Sequence, residues 1–472
     1  MKPQERTSRV RSALRSIQQL VFLIGLGIIV GIMLGPKAGV TLGVAGRTIL
    51  QLVSKTVTRN WYPDRFERSG LLRYDPARAQ PGYTLYTLAP DLSAHLIDMN
   101  GREVHSWFVP NDQISGVSGI RTLFGLLEPQ VEGGYLYPDG DVILVYEVKA
   151  LTQPATRLFK LDKDSHVLWK SNVNVHHAIE IAGDKIYALT SIPRTRLTER
   201  ARRDRLPRDG ESISILGSDG KVINSYSIIN AIANATDFRI ADFAKHSEPL
   251  DPLHSNSLDV LTEQTARFFP GAKPGNVLVS LRNLDLLTVM DLERDTVVWA
   301  MRGGWRRQHD AKVLPNGHIL MFDNNGGVRT YSPSRILEID PATGGIVWSY
   351  SGKPDDPLDS ADNRGGAQRL ANGNTLINEA NAGRIIEVTP DGTVVWEYVN
   401  PLLSEERGKK IIASFGLTVT RYDASYLSFL GGHVAARGGS LNRAKEAPMI
   451  QRNGLPHPPS RGAVAAAGAH RR

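Results

Sequence analysis

Cysteine is absent from all 472 residues. That excludes a disulfide framework, a thiolate nucleophile and any cysteine-ligated metal centre. A basic surface is also missing, despite a formal net charge of +8. Residues 1–15 carry Lys2, Arg6, Arg9, Arg11 and Arg15 against Glu5, and the tail from Gly431 carries seven basic residues against Glu446. These ends sum to +10, so the body between them is close to −2 and offers no polyanion face. Nucleic acid is therefore not an expected partner. Charge is missing altogether between Arg15 and Lys37, where "SIQQLVFLIGLGIIVGIMLGP" runs with an apolar core from Leu20 to Leu34.

That uncharged run, with modest extension, reaches the ~20 residues that cross a bilayer. Residues 1–16 read as a cytoplasmic basic segment and 17–36 as a transmembrane helix that acts as a signal-anchor. The basic flank predicts a single-pass protein of the inner membrane with everything downstream on the periplasmic or extracytoplasmic side. A cleaved signal peptide is the rival, but Pro36-Lys37 makes a poor cleavage site. Gly27, Gly31 and Gly35 put a glycine stripe on one helix face, through which the chain could form a homo-oligomer. Residues 37–80 read as a linker. The Ala-, Gly-, Pro- and Arg-rich tail 431–472, which lacks apolar periodicity, reads as disordered.

Between the ends, one unit recurs six times: a short apolar strand, an Asp or Asn turn with glycine nearby, and a strand ending in an aromatic residue. The copies end around Trp107, Trp169, Tyr226, Trp299, Trp348 and Trp396, at intervals of 62, 57, 73, 49 and 48 residues. A second strand pair precedes most copies, turning at dipeptides such as Asp139-Gly140, Asn316-Gly317 and Asn372-Gly373, which accept positive φ. Four short strands repeated six times predict an all-β, six-bladed β-propeller over 81–430. The repeated tryptophans read as packing residues between blades.

Because the copies are related, they can be compared with one another. Four residues before the first apolar position stand Glu132 in the first blade, His177 in the second, His254 in the third, His309 in the fourth and Gly365 in the fifth. The innermost strand of a propeller blade faces the axial channel, so three successive imidazoles should converge there. Polar neighbours join them: Asn256, Asp310, Asn324 and Gln368 as candidate substrate-binding groups, and Arg335 at a strand start as an oxyanion binder. Arg307, Arg364 and Arg384 read as solvated. His95, His105, His166 and His318 lack the register.

These motifs, "DPLHSNSLDV", "QHDAKVLPNGHILMFDN", "SRILEID" and "GGAQRLANGNTLI", resemble the bacterial arylsulfotransferase family over roughly Gly82 to Leu430. The resemblance implies a six-bladed propeller that moves a sulfuryl group from an aryl sulfate to a phenol, with no cofactor and no metal. It further implies that channel histidines and an arginine bind the group and that one histidine carries it covalently. Residue by residue this points to His254, His309 and Arg335, with His177 as a further binding group. The fifth blade departs from the pattern, with Gly365 and Gln368 where a further histidine is sought. Three other readings stand beside it. "IDPATGGIVW" resembles the blade motif of quinone-cofactor dehydrogenases, although those have eight blades; His177, His254 and His309 could ligate a metal; and a membrane-tethered propeller could serve as a binding or assembly scaffold.

Overall fold

The computed structural model describes residues 60–435 apart from 91–92, 111–112, 114–129, 149–154, 192–197, 205, 207–209, 236–238, 246, 248–250, 326–332, 360–362 and 407. The expected membrane helix 17–36 and the tail beyond 435 lie outside these residues. Among the described residues no helix is long and apolar enough to cross a membrane.

Among the described residues the alternating apolar strands pair into six antiparallel blades, with two smaller sheets beside them. Blade one runs from Gln130–Leu136 to Val167–Ser171, blade two from Val175–Ala182 to Val222–Ser227, and blade three from Ser255–Val260 to Thr296–Arg302. Blade four runs from His309–Val313 to Ile346–Tyr350, and blade five from Gly366–Arg369 to Val394–Val399. Blade six is composite: its inner strand Phe415–Tyr422 comes from the C-terminal side, and its three others, from Tyr83–Leu88 to Glu103–Phe108, come from the N-terminal side. Each inner strand packs on the next and the sixth returns to the first, which closes the ring. Ring closure covers the faces of the first and last blades and leaves only short, protected sheet edges.

The recurring tryptophans show how neighbours are joined. Trp107 donates its indole N–H to Gly140, Trp169 to Ser218, Trp348 to Pro390 and Trp396 to Met99, each at 2.9 Å. Every acceptor is a turn carbonyl of the following blade, and the Trp396 bond runs from the fifth blade to the sixth across the chain ends. The apolar residues fill the spaces between sheets; Val289 and Trp299 of blade three, for example, pack with Met321 and Leu337 of blade four. Each such fully buried side chain contributes about 1.5–3 kcal/mol.

Two features were not expected. The described part of the 37–80 segment is built into sheets: Trp61–Pro63 pairs with Lys409–Ala413, and Gly70–Tyr74 adds a fifth strand to the outer edge of blade five. Its side chains therefore bear on the propeller and do not act as a spacer there. The long 73-residue interval holds a buried helix, Ile228–Asn234, capped by the Ser227 hydroxyl, and a second short helix, Ile240–Lys245. The run Ile228, Ile229, Ala231, Ile232 is apolar on nearly all sides, so it carries no helical periodicity by which the helix could be read from sequence.

Candidate functional site

The starts of the inner strands are irregular in the same way in successive blades. In blade two, Val175 pairs with Thr190 but Ile179 with Ala188, so two extra residues bulge from the ladder around His176 and His177. Blade three has one extra residue between Ser255 and Ser257, and blade four has one between His309 and Lys312. His177, His254 and Asp310 take left-handed φ of 60°, 49° and 51° at or beside these bulges. Bulges re-aim side chains and cost backbone strain, and both are concentrated near functional sites.

The ladders also correct the register read from sequence. Counting residues puts His177, His254 and His309 at one level, whereas the ladders set His254 at a different level from His309. His309 lies opposite Phe322, three residues beyond the first partner of its hairpin, Ile319. His254 lies one residue before Ser255, whose partner Leu281 is already four beyond Val277. The reason is the starting point of the count: blades three and four each hold one inserted residue, but Leu258, four after His254, pairs with Val279, two beyond Val277, whereas Val313, four after His309, pairs with Ile319 itself.

The structure brings the imidazoles of blades two and three into direct contact. The His177 and His254 rings meet edge to face with centroids 4.9 Å apart, and Nδ1 of His176 lies 3.0 Å from Nδ1 of His177. Nδ1 of His254 lies 2.7 Å from Oδ2 of Asp251. The loop that carries both is fastened by Asn283, whose Nδ2 donates to the Asp251 carbonyl at 2.6 Å, and by the Arg282 N–H, which donates to the His254 carbonyl at 3.1 Å. A quarter of the His254 side chain is exposed.

His309 is held differently. It is only 2% exposed. Asn324 donates through Nδ2 to the Arg364 carbonyl at 2.8 Å, so its Oδ1 faces His309 Nδ1 at 2.6 Å and fixes the proton there. The Arg364 N–H approaches Nε2 at 3.4 Å. Burial, then the charge of Arg282, lowers the His309 pKa to about 3, so the ring is neutral at pH 7. Burial likewise lowers His176 to about 4.

The other expected groups are engaged with the protein. Nδ2 of Asn256 donates to the Gln308 carbonyl at 2.7 Å, while its buried Oδ1 has no hydrogen-bond partner. Oδ2 of Asp310 accepts from the Ala367 N–H at 3.0 Å, and burial pushes its carboxyl up. Gln368 bonds the backbone of Arg421 through both ends of its amide. Arg335 is the cross-strand partner of Asp323 and forms an ion pair with it at 2.8 Å, with a further bond to the Gly304 carbonyl. Blade five repeats this arrangement, with Arg384 opposite Glu379 and an ion pair at 2.6 Å. A feature shared with a blade that lacks the histidines braces the hairpin. The arginine whose charge reaches His309 is Arg282, which the sequence reading missed. Its signal was its place directly after the strand "VLVSL", where blade four has Asn324.

Blade five fills its sector without a histidine. Gly365 has φ +104°, and a Cβ there would stand 2.9 Å from the Phe322 ring. The preceding residue, Arg364, is buried, as is Arg384, where solvated side chains were expected. Its guanidinium donates to Ser414 at 2.7 Å, Gln130 at 2.6 Å and Asn60 at 3.3 Å, and lies 3.6 Å from Glu132. Blades five, six and one and the N-terminal segment are thereby joined at one point. Further along the inner strands, Lys312 bonds Glu180 at 2.6 Å, with Asp259 at 4.0 Å. Among the described residues, the grouping of carboxylate and imidazole atoms close enough to hold a metal ion is Asp162, Asp164 and His166, at the outer hairpin turn of blade one. Backbone N–H groups of Asp164 and His166 already occupy Oδ1 of Asp162.

A family model described as arylsulfotransferase (ASST) matches residues 147–401, which hold the four repeat strands of each of blades two to five. No curated protein matches the chain. Among solved structures, a Bacteroides caccae protein of unknown function is 12% identical with a TM-score of 0.41, covering 68% of this chain and 94% of that one. The WD40 β-propeller domain of Doa1 is 10% identical at 0.39, covering 77% and 97%. A virginiamycin B lyase from Staphylococcus aureus is 10% identical at 0.36, covering 72% and 87%. These likenesses are too distant to carry an argument. The family match takes in more than half of the chain, and the chain belongs to the arylsulfotransferase family.

Proposed function

We propose that this member of the arylsulfotransferase family moves a sulfuryl group from an aryl sulfate to a phenolic acceptor, using an imidazole at the mouth of its channel as carrier. The observation that carries the reading is the cluster His177–His254–His309 beside Arg282, in a chain of this family. A neutral imidazole nitrogen attacks sulfur, the S–O bond breaks, and the phenolate leaves. The acceptor oxygen then takes the group from nitrogen, so one hard transfer becomes two easier ones. His254 suits the role of carrier because a quarter of its side chain is exposed to an incoming donor, whereas His309 is buried between Asn324 and Arg364. His309, neutral, and His177 would then act as hydrogen-bonding walls, and Arg282 as the positive charge facing the sulfuryl oxygens.

The test is incubation of the full chain with a chromogenic aryl sulfate and a phenolic acceptor. Acceptor-dependent phenol release is expected. Release no greater than that of the double variant His254→Ala/His309→Ala, across a broad donor panel, overturns the reading. The proposal includes an inner-membrane anchor at 17–36 with the propeller outside the cytoplasm, supported by the uncharged run and its basic flank. Protease accessibility of the propeller in spheroplasts tests it.

A further inference from the structure

Resting on the sulfuryl-transfer reading, we infer that Asp251 is the positioning residue of His254: its carboxylate holds the proton on Nδ1, directs the lone pair of Nε2 at the donor sulfur, and balances the charge that the ring gains. The carboxylate is 2.7 Å from Nδ1, and acceptor-only oxygens there require Nδ1 to be the donor. The neutral ring then has its lone pair on Nε2. The loop is built to keep this pair together. Asn283 fixes the Asp251 carbonyl, Arg282 fixes that of His254, and the Ser255 N–H donates to the buried carboxylate of Glu211 at 2.7 Å. His254 pays for this pose with a left-handed backbone, φ 49°, which a branched or bulky residue seldom adopts.

In the first half-reaction the Nε2–S bond forms, the S–O(aryl) bond breaks, and the phenolate departs with the electron pair and takes a proton from water. The ring, still protonated on Nδ1, becomes an N-sulfoimidazolium whose positive charge faces Asp251. In the second half the acceptor phenol gives its proton to water, its oxygen bonds sulfur, and the S–Nε2 pair returns to nitrogen. No oxidant or other reactant is needed. The charged and titratable groups around His254 are Asp251, His177, His176, Arg282, Glu211 and His309. Asp251 meets the His254 ring at Nδ1.

The experiment compares Asp251→Asn, Asp251→Glu and His254→Ala in the full chain, with melting temperature as a check on folding. Asp251→Asn should lower kcat by about 10²–10⁴-fold with little change in donor KM, because an amide can turn the ring into the wrong tautomer. The acid limb of its pH profile should move to lower pH, since the imidazolium has lost its counter-charge. Asp251→Glu should recover part of kcat. Histidine-ring nitrogen NMR, assigned by the signal lost in His254→Ala, should show Nδ1-protonated His254 in the parent. Parental kcat in Asp251→Asn while His254→Ala is inactive, or an Nε2-protonated ring in the parent, overturns the inference and leaves the transfer reading standing. Parental activity in His254→Ala overturns both.

Discussion

Lys312 of blade four donates to Glu180 of blade two at 2.6 Å although blade three stands between them in the ring. Side chains of non-neighbouring blades meet only across the axis, so this pair bridges the channel beyond the histidines. Asp259 of blade three and Asp310 crowd the same lysine; its own pKa is held up by these carboxylates, against the cost of its burial. Replacing it, as in Lys312→Met, leaves three carboxylates without a counter-charge. A third of the Lys312 side chain is exposed, which screens the loss, so the expected cost is about 1–3 kcal/mol in urea unfolding. Burial raises Asp259 to about 6, so the cost should be larger at pH 7.5 than at pH 5, where that carboxyl is protonated.

His309 should make the fold sensitive to acid. Its folded pKa of about 3 lies below the ~6.5 of an unfolded histidine. Above about pH 6.5 both states are neutral and the contribution is complete. As pH falls from there towards 3, the unfolded chain takes up a proton that the fold refuses, and stability is lost. Asp259 and Asp310, whose pKa values are raised, act in the opposite sense over part of this range. The difference between proteins isolates the histidine. In His309→Gln, the loss of unfolding free energy between pH 6 and 4 should be shallower than in the parent by about 1.4 kcal/mol per pH unit.

Gly365 should not tolerate the histidine that its neighbours carry. The left-handed φ of +104° disfavours any side chain, and the Phe322 ring occupies the space of its Cβ. Gly365→His should lower stability by about 2 kcal/mol or more by thermal unfolding, and it should lower transfer activity by displacing Phe322 opposite His309. A stable, fully active Gly365→His would show that blade five can adopt the pattern of its neighbours.

Arg282 and Arg335 should separate in kinetics. Arg282→Gln removes the charge that faces His309 and should raise the KM for an aryl sulfate about 10-fold or more, with a smaller change for an uncharged phenolic acceptor. Arg335→Gln breaks the Asp323 ion pair and should act mainly on melting temperature. If Arg335→Gln raises donor KM while Arg282→Gln does not, Arg335 is the anion-binding group.

Much of the architecture was legible in the sequence because a propeller repeats its own evidence. Six aromatic-ended hairpins and the Asp-Gly or Asn-Gly turns specify strands and count blades through local propensity and periodicity alone. The candidate histidines were singled out for the same reason, since Glu132, His177, His254, His309 and Gly365 stand at the same count in their copies. What repetition cannot show is departure from it. The pairing register leaves no mark in the spacing, yet it sets His309 opposite Phe322 and puts His254 beyond the Ser255–Leu281 pair.

The strand-turn-strand unit and its sixfold recurrence were already written in the residue order, because those follow from side-chain alternation and turn chemistry within a few residues. The partners were set by the closed ring. Arg335 turned to Asp323 within its own blade, Arg364 left solvent to join three blades and Asn60, and Asp251 became the partner of His254. Closing the ring brings distant segments within 3 Å of one another, and a charged side chain in a buried space pairs with whichever group that closure supplies.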